Sequence, residues 1–273
     1  MTPDTITALA AAYDEAERSR VQVRQPTLIH PEMTIADGYA VQREWVRMKA
    51  ERGDHVIGHK IGLTSRAMQQ ASQIDEPDYG ALLASMVIGD GAVIDPYRFI
   101  RPRFEVELGF RLKDRIVGDN VTIFDVMNAT DYVAPAIEII DARCHQNDPE
   151  SGRPRQVMDT ISDNAANAGV IWGGRPMRPD QLDMAWIPGV LRRNGVVEET
   201  GVAAGVLGHP ANGIVWLARR LAAQGVALEP GQFVLSGSFT RPVAGAPGYT
   251  MDCDFGPLGS VTCSIAKTPP EAP

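Results

Sequence analysis

The sequence predicts an α+β fold: a mixed, curled β-sheet preceded by a small helical region. Three observations lead there. Strand-like segments outnumber helical ones after residue 55. The regular helix–strand alternation of a parallel doubly wound sheet is missing. The first 54 residues, in contrast, read mainly as helix. With 273 residues, 44% of them hydrophobic and 22% charged, the chain can bury a sizeable core. The expected organisation is a helical region over 1–54, a β-rich domain over 55–267 and a flexible, Pro-rich tail over 268–273.

From about residue 4 to 20, Ile6, Leu9, Ala10 and Tyr13 recur at helical spacing. Pro31 interrupts the next stretch. Thr34 then reads as an N-cap, with Asp37 in the capping-box position three residues on. The helix it opens carries Val41, Trp45 and Met48 on one side, and Gly53 suits its C-terminal end. His55 to Leu63 reads as a strand. A loop rich in Gln, Ser, Asp and Pro follows and ends in Glu76-Pro77-Asp78-Tyr79-Gly80. Phe104 to Leu112 alternates strictly, and Val133 to Ile140 is a nearly unbroken apolar run. Further strands are expected near 168–173, 189–198, 232–236 and 247–264. Ile214, Val215, Leu217, Ala218 and Leu221 predict a helix over 210–224.

Composition excludes several classes. A net charge of -8 suits nucleic acid poorly, because phosphate binding needs clustered cations. No apolar run is long enough for a membrane span. The start, Met1-Thr2-Pro3-Asp4, lacks the basic and apolar segments of a signal peptide. Cys144, Cys253 and Cys263 are too few and scattered for a disulfide framework, which points to a cytoplasmic protein. His30, His55, His59, His145 and His209 show no zinc spacing.

The chemistry-bearing residues begin at Arg101-Pro102-Arg103-Phe104-Glu105-Val106-Glu107. Alternation sends Phe104, Val106, Leu108, Phe110 and Leu112 to one face and puts Glu105 and Glu107 together on the other. Two such carboxylates can reach one hard dication; a solvated strand face, with Arg103 and Arg111 as ion-pair partners, is the commoner meaning of an isolated pair. Glu138 shifts the balance. It lies inside the apolar run Val133–Ile140, where a carboxylate needs a compensating partner, either a cation or an arginine. Lys60 is flanked on its own strand face by Gly58 and Gly62, which leave room for a ligand or a close backbone approach. Near a dication and low-dielectric walls its charged form would be disfavoured, which suits proton transfer. A snorkelling surface lysine is the bland alternative. Asp78 sits in a turn-prone loop, where an aspartate commonly bonds its own backbone. The polar loop from Asp141 to Arg155 follows Glu138 directly; its Arg143, Arg153 and Arg155, with His145, could hold a second carboxylate. Asp159 and its neighbours could cap a helix or wall the site. Gly237-Ser238-Phe-Thr-Arg-Pro242 could cradle a carboxylate through Ser238 and backbone amides.

These segments together resemble a known family. Gly58-His59-Lys60-Ile61-Gly62-Leu63-Thr64-Ser65, Glu76-Pro77-Asp78-Tyr79-Gly80, Glu105-Val106-Glu107, Asp159-Thr-Ile-Ser-Asp-Asn-Ala, Val206-Leu-Gly-His-Pro210 and Gly237-Ser-Phe-Thr-Arg-Pro242 are similar, in order along almost the whole chain, to the hydratase/decarboxylase family of the fumarylacetoacetate hydrolase superfamily. The resemblance implies a mixed β-roll of the fumarylacetoacetate hydrolase C-terminal type. It also implies a Mg2+ or Mn2+ ion held by Glu105, Glu107 and Glu138, catalytic roles for Lys60 and Asp78, and a homo-oligomer, with decamers known in this branch. The expected activity is hydration of a short 2-oxo-alkenoate. The form of the 141–155 loop resembles the branch that takes a seven-carbon diacid in 4-hydroxyphenylacetate breakdown. Other activities remain open within the resemblance: a decarboxylase of a six-carbon 2-oxo diacid, a hydratase of 2-hydroxypenta-2,4-dienoate, or a C–C hydrolase. For the hydrolase, no Glu–His pair stands near Glu105 and Glu107 to aim a water. From another class, a non-catalytic partner subunit is opposed by the complete set of Glu105, Glu107, Glu138 and Lys60.

Overall fold

The chain is described here by a computed structural model covering residues 1–268; the expected tail lies, from residue 269 on, outside the described residues. Helix α1 (Pro3–Ser19) starts on a proline, whose missing N–H is not needed in a first turn. After the short α2 (Pro26–Ile29), α3 (Ile35–Glu51) opens on the expected capping box. Thr34 accepts from the Asp37 amide, and the Asp37 carboxylate accepts from the Thr34 amide. Gly53 then turns the chain with φ +95°. Ala10 and Tyr13 of α1 and Val41 and Trp45 of α3 are buried together with Leu83, Met86 and Cys144. The Tyr13 hydroxyl donates to the Asp159 carbonyl, and the Gln42 amide donates to the carbonyls of Tyr79 and Ile161. This apolar cluster therefore runs across the change of secondary structure at residue 54.

Strand β1 (Val56–Gly62) follows, then α4 (Arg66–Ala71) and β2 (Asp78–Leu83). The segment expected as a plain loop over 64–80 thus holds a short helix capped by Ser65, and its last residues already belong to a strand. Beyond come β3 (Val87–Ile88), β4 (Val93–Ile94), β5 (Arg103–Leu112), α5 (Ile123–Ala129), β6 (Thr130–Ile140), α6 (Val157–Ser162) and β7 (Asn167–Trp172). The 189–198 segment is a hairpin of β8 (Pro188–Arg193) and β9 (Val196–Val202), turning at Asn194 and Gly195, both with positive φ. Helix α7 (Pro210–Ala222) matches expectation. The chain closes with β10 (Phe233–Leu235), β11 (Val243–Ala244), β12 (Thr250–Asp254) and β13 (Ser260–Ile265). Helices α4, α5 and α6 were missed because six or seven residues are too few to show a period.

The strands form two sheets. One runs β2-β1-β10-β5-β6-β7-β3, with β11 beside β5; the other runs β4-β13-β12-β8-β9. Parallel pairs (β1/β10, β3/β7 and β4/β13) sit among antiparallel ones, so both sheets are mixed. The larger sheet curls until β2 meets β7. Asn164 fastens the seam: its side chain accepts from the Ala81 amide and donates to the Ala81 carbonyl, replacing a strand partner. The outer face of β5 (Phe104, Val106, Leu108, Phe110, Leu112) is buried with Met251 and Val261 of the second sheet, with Phe255 from the turn between β12 and β13, and with Ile214 and Leu217 of α7. The inner face lines the roll. There Leu82, Ala136, Val170 and Leu235 form an apolar floor, and the polar residues described next lie above it.

Candidate active site

The β5–β6 register places Glu105 directly opposite Glu138, with Glu107 opposite Ala136. Glu105, Glu107 and Glu138 each present an oxygen within 4.8 Å of the others. Glu107 and Glu138 are fully buried, and Glu105 is half-buried. Glu107 accepts from the Gly237 amide at 2.8 Å, and Glu138 accepts from the Asn167 side chain at 2.7 Å. One oxygen on each, Oε1 of Glu107 and Oε2 of Glu138, has no partner. Burial first, then the Glu138 charge, pushes the Glu105 carboxyl up to about 7 and the Glu107 carboxyl well above its usual range. Three crowded carboxylates with unpartnered buried oxygens can all ionise only beside a cation. The donor set is oxygen alone, without His or Cys, which suits a hard dication.

Lys60 reaches across the roll from β1, its Nζ 3.4 Å from Glu138. Burial works against its charge, but Glu138, Asp78, Glu105 and Glu107 outweigh burial, and its pKa is raised. The surrounding carboxylates thus favour the ammonium, whereas the expectation of a disfavoured charge concerns Lys60 beside a dication. Asp78 is buried at the start of β2, opposite Gly62 of β1, so it is a strand residue and not the turn aspartate its sequence suggested. Burial raises its pKa, against the pull of Lys60. The two glycines beside Lys60 differ in purpose. A Cβ on Gly62 would stand 2.3 Å from Asp78 Oδ1 and 3.1 Å from Lys60 Nζ, so its bareness makes room for that pair. A Cβ on Gly58 would strike the Phe233 backbone at 1.8 Å, so its bareness serves the close approach of β10.

The expected arginines separate. Arg143 does not face the site. Its guanidinium is buried against Asp163 at 2.6 Å, donates to the carbonyls of Asp141, Asp163 and Asn167, and stacks on Trp45. It is a structural strut, because both terminal nitrogens of the buried guanidinium are spent on carbonyls and its Nε faces the Asp163 carboxylate. Arg153 is exposed. Arg155 alone of the three turns inward: its buried Nη1 lacks a partner, and its charge is felt by Asp78 and by Arg103. The Ser238 hydroxyl donates to the Thr240 carbonyl and accepts from its amide, so it is engaged in its own turn. In that loop it is the Gly237 amide that meets the cluster. Asp159 is a cap, accepting from Gln156 at the start of α6 and from Thr27.

Sequence reasoning passed over Asn167 and weighed Arg103 only as an ion-pair partner on a solvated strand face. Asn167, a polar residue opening an otherwise apolar strand, orients Glu138, and that position was the available signal. Arg103 lies two residues before Glu105 on the same strand face. It lines a cleft of about 610 Å³ together with Ile140, its cross-strand partner. None of the three glutamates lines this cleft; Arg103 and Ile140 stand one register repeat outward from the Glu105–Glu138 pair.

No protein-family model matches the chain. Among curated proteins, a 2-oxo-hept-4-ene-1,7-dioate hydratase of Escherichia coli is 61% identical over 95% of this chain and 97% of its own length. A 4-oxalocrotonate decarboxylase of Pseudomonas putida is 36% identical over 95% and 96%. Among solved structures, the 4-oxalocrotonate decarboxylase of Pseudomonas putida G7 complexed with magnesium and adipate superposes with a TM-score of 0.92 at 34% identity, covering 97% of this chain and 98% of that one. A fumarylacetoacetate hydrolase family protein of yeast, 13% identical with a TM-score of 0.56 over 78% of this chain and 93% of that one, shares the fold. With hydratases and decarboxylases matched over nearly its full length, the chain belongs to the family of these 2-oxo-acid hydratases and decarboxylases.

Proposed function

We propose that this protein is a hydro-lyase that depends on a divalent cation, Mg2+ or Mn2+, and adds water to 2-oxo-hept-4-ene-1,7-dioate, giving 4-hydroxy-2-oxoheptane-1,7-dioate. The observation that carries the reading is the buried Glu105–Glu107–Glu138 cluster beside Lys60, in a chain 61% identical to a hydratase of that name. The three glutamates would hold the ion. When bound, it supplies Lewis-acid stabilisation of negative charge developing on the substrate's C2 oxygen.

The remaining chemistry is proton management. One proton must leave C3 and one must arrive at C5; the hydroxyl of water then bonds to C4, and C3 regains a proton. Lys60 and Asp78 are the groups assigned to these transfers, since both are buried, lie on adjacent strands and border the carboxylates. The ammonium of Lys60 Nζ can donate, and the Asp78 carboxylate can accept. The apolar floor of Leu82, Ala136, Val170 and Leu235 keeps bulk water out beneath them. Of the loop arginines, Arg155 is assigned to the substrate, a reading supported by its buried, unpartnered Nη1. We further place the enzyme in the cytoplasm, a reading supported by three buried free cysteines; among the described residues no helix is long and apolar enough to cross a membrane. A homo-oligomer is supported by the edge strand β9, which leaves Val196 and Val197 exposed.

The test is product analysis by NMR with five-, six- and seven-carbon substrates. Hydration of the seven-carbon diacid is expected, abolished by EDTA and restored by Mg2+ or Mn2+. Full turnover after exhaustive chelation would sink the metal reading. Carbon dioxide released from the six-carbon diacid, without hydration, would identify a decarboxylase. Glu107→Gln should lose metal affinity by calorimetry while keeping its melting temperature.

A further inference from the structure

We infer that Arg103 anchors the far carboxylate of the diacid, and that the cleft it lines is the subsite that measures substrate length. The inference rests on the hydratase reading above. Its first support is position. Arg103 and Ile140 are register partners one repeat outward from the Glu105–Glu138 pair. Arg103 therefore shares the inner face of β5 with Glu105 and Glu107, and both it and Ile140 line the cleft of about 610 Å³. Residues two apart on a strand lie about 6.8 Å from each other. Six carbon–carbon bonds carry a seven-carbon acid roughly 7–8 Å from C1 to C7. An acid held by one end at the glutamates thus brings its other end to Arg103, and a five-carbon acid has no second carboxylate to bring.

The second support is unspent charge. Among the described residues, no hydrogen bond or ion pair involves the Arg103 guanidinium, although it is half-buried. Arg155 stands near enough for the two cations to repel, and its buried Nη1 is also without a partner. Arg101 adds a further cation to the cleft wall. The one carboxylate lining the cleft, Asp95, is turned to the Tyr97 amide. Glu105 lies near enough to draw on the Arg103 charge but neither hydrogen-bonds nor ion-pairs with it, so the guanidinium keeps its donors for an incoming carboxylate, which Arg binds in bidentate fashion. The backbone is also held for the task. The buried Asp141 carboxylate accepts from the amides of Ile100 and Arg101, and Ala244 of β11 pairs with Arg103.

Arg103→Ala and Arg103→Gln should be assayed with the seven-carbon diacid and with 2-hydroxypenta-2,4-dienoate, after melting temperatures confirm folding. The diacid should lose about 10- to 100-fold in kcat/KM, mostly through KM, and the five-carbon substrate less than about 3-fold. Equal losses on both substrates, or none on either, would overturn the anchor. In parallel, heptanedioate is titrated into the wild type and both variants by calorimetry in the presence of Mg2+, a readout independent of turnover. If the wild type hydrates neither substrate, the hydratase reading fails, and this titration decides the anchor alone. Weakened heptanedioate binding in both variants supports it; unchanged binding overturns it.

Discussion

Arg143 and Lys60 carry similar charge into similarly buried places, and their surroundings give them opposite uses. Arg143 meets Asp163, three carbonyls and the Trp45 ring, so its charge is wholly absorbed by structure. Arg143→Ala would strand the buried Asp163 carboxylate, and the expected loss is about 3–5 kcal/mol of stability, read by urea denaturation. A variant as stable as wild type, with selectively poor diacid turnover, would return Arg143 to the substrate site. Lys60 instead stands 3.4 Å from Glu138 and beside Asp78, in the room that the bare Gly62 leaves for that pair. Lys60→Ala, assayed with Mg2+ present, should keep a melting temperature close to wild type and lose most of kcat. Normal turnover would make it a bystander. Both residues were legible in sequence as candidates, but their roles were not, because a local window shows which groups are present and not which partners they meet.

At the scale of elements, the loop from Asp141 to Arg155 decides how Arg155 is presented, and its shape hangs on Asp148. That carboxylate is buried, accepts two hydrogen bonds from Arg24 and two from Ser151, and is held by the Arg24 bond first at a pKa of about 2, below the usual 3.8 of an aspartate. The sign follows from linkage. A depressed carboxylate contributes stability that is complete above about 3.8, its unfolded value, and is lost as pH falls through about 2. The loop should therefore stay closed across neutral and mildly acid pH. An NMR titration of the Asp148 carboxyl should give a midpoint near 2, moving toward 3.8 in Arg24→Ala. A midpoint indifferent to that substitution would show that Arg24 is no clasp. The sequence flagged this loop by its polarity and arginines, but Arg24 lies far back in the chain, and no spacing rule links the two.

For the whole molecule, the open matter is whether the helical region over 1–54 stands apart. Tyr13 and Trp45 are buried together with Leu83, Met86 and Cys144 from the β-rich part, and Gln42 bonds Tyr79 beside Asp78. We propose that the two parts unfold as one cooperative unit. Calorimetry should show a single transition, and a chain cut before residue 55 should expose apolar surface and aggregate. Two separated transitions would restore the independent domain.

The sequence by itself determined the α+β class, the long helices α1, α3 and α7, the two faces of β5 and the candidates Glu105, Glu107, Glu138 and Lys60, because period, capping chemistry and the burden of a carboxylate in an apolar strand are local properties. Tertiary structure alone decided the rest. The β5–β6 register set Glu105 opposite Glu138, and the curl of the sheet carried Lys60 across the roll to meet them. Folding turned Arg155 inward while sealing Arg143 against Asp163, and it lined the cleft with Arg103. Those outcomes depend on pairings between residues distant in the chain, where charge and burial are fixed by partners that no short stretch of sequence contains.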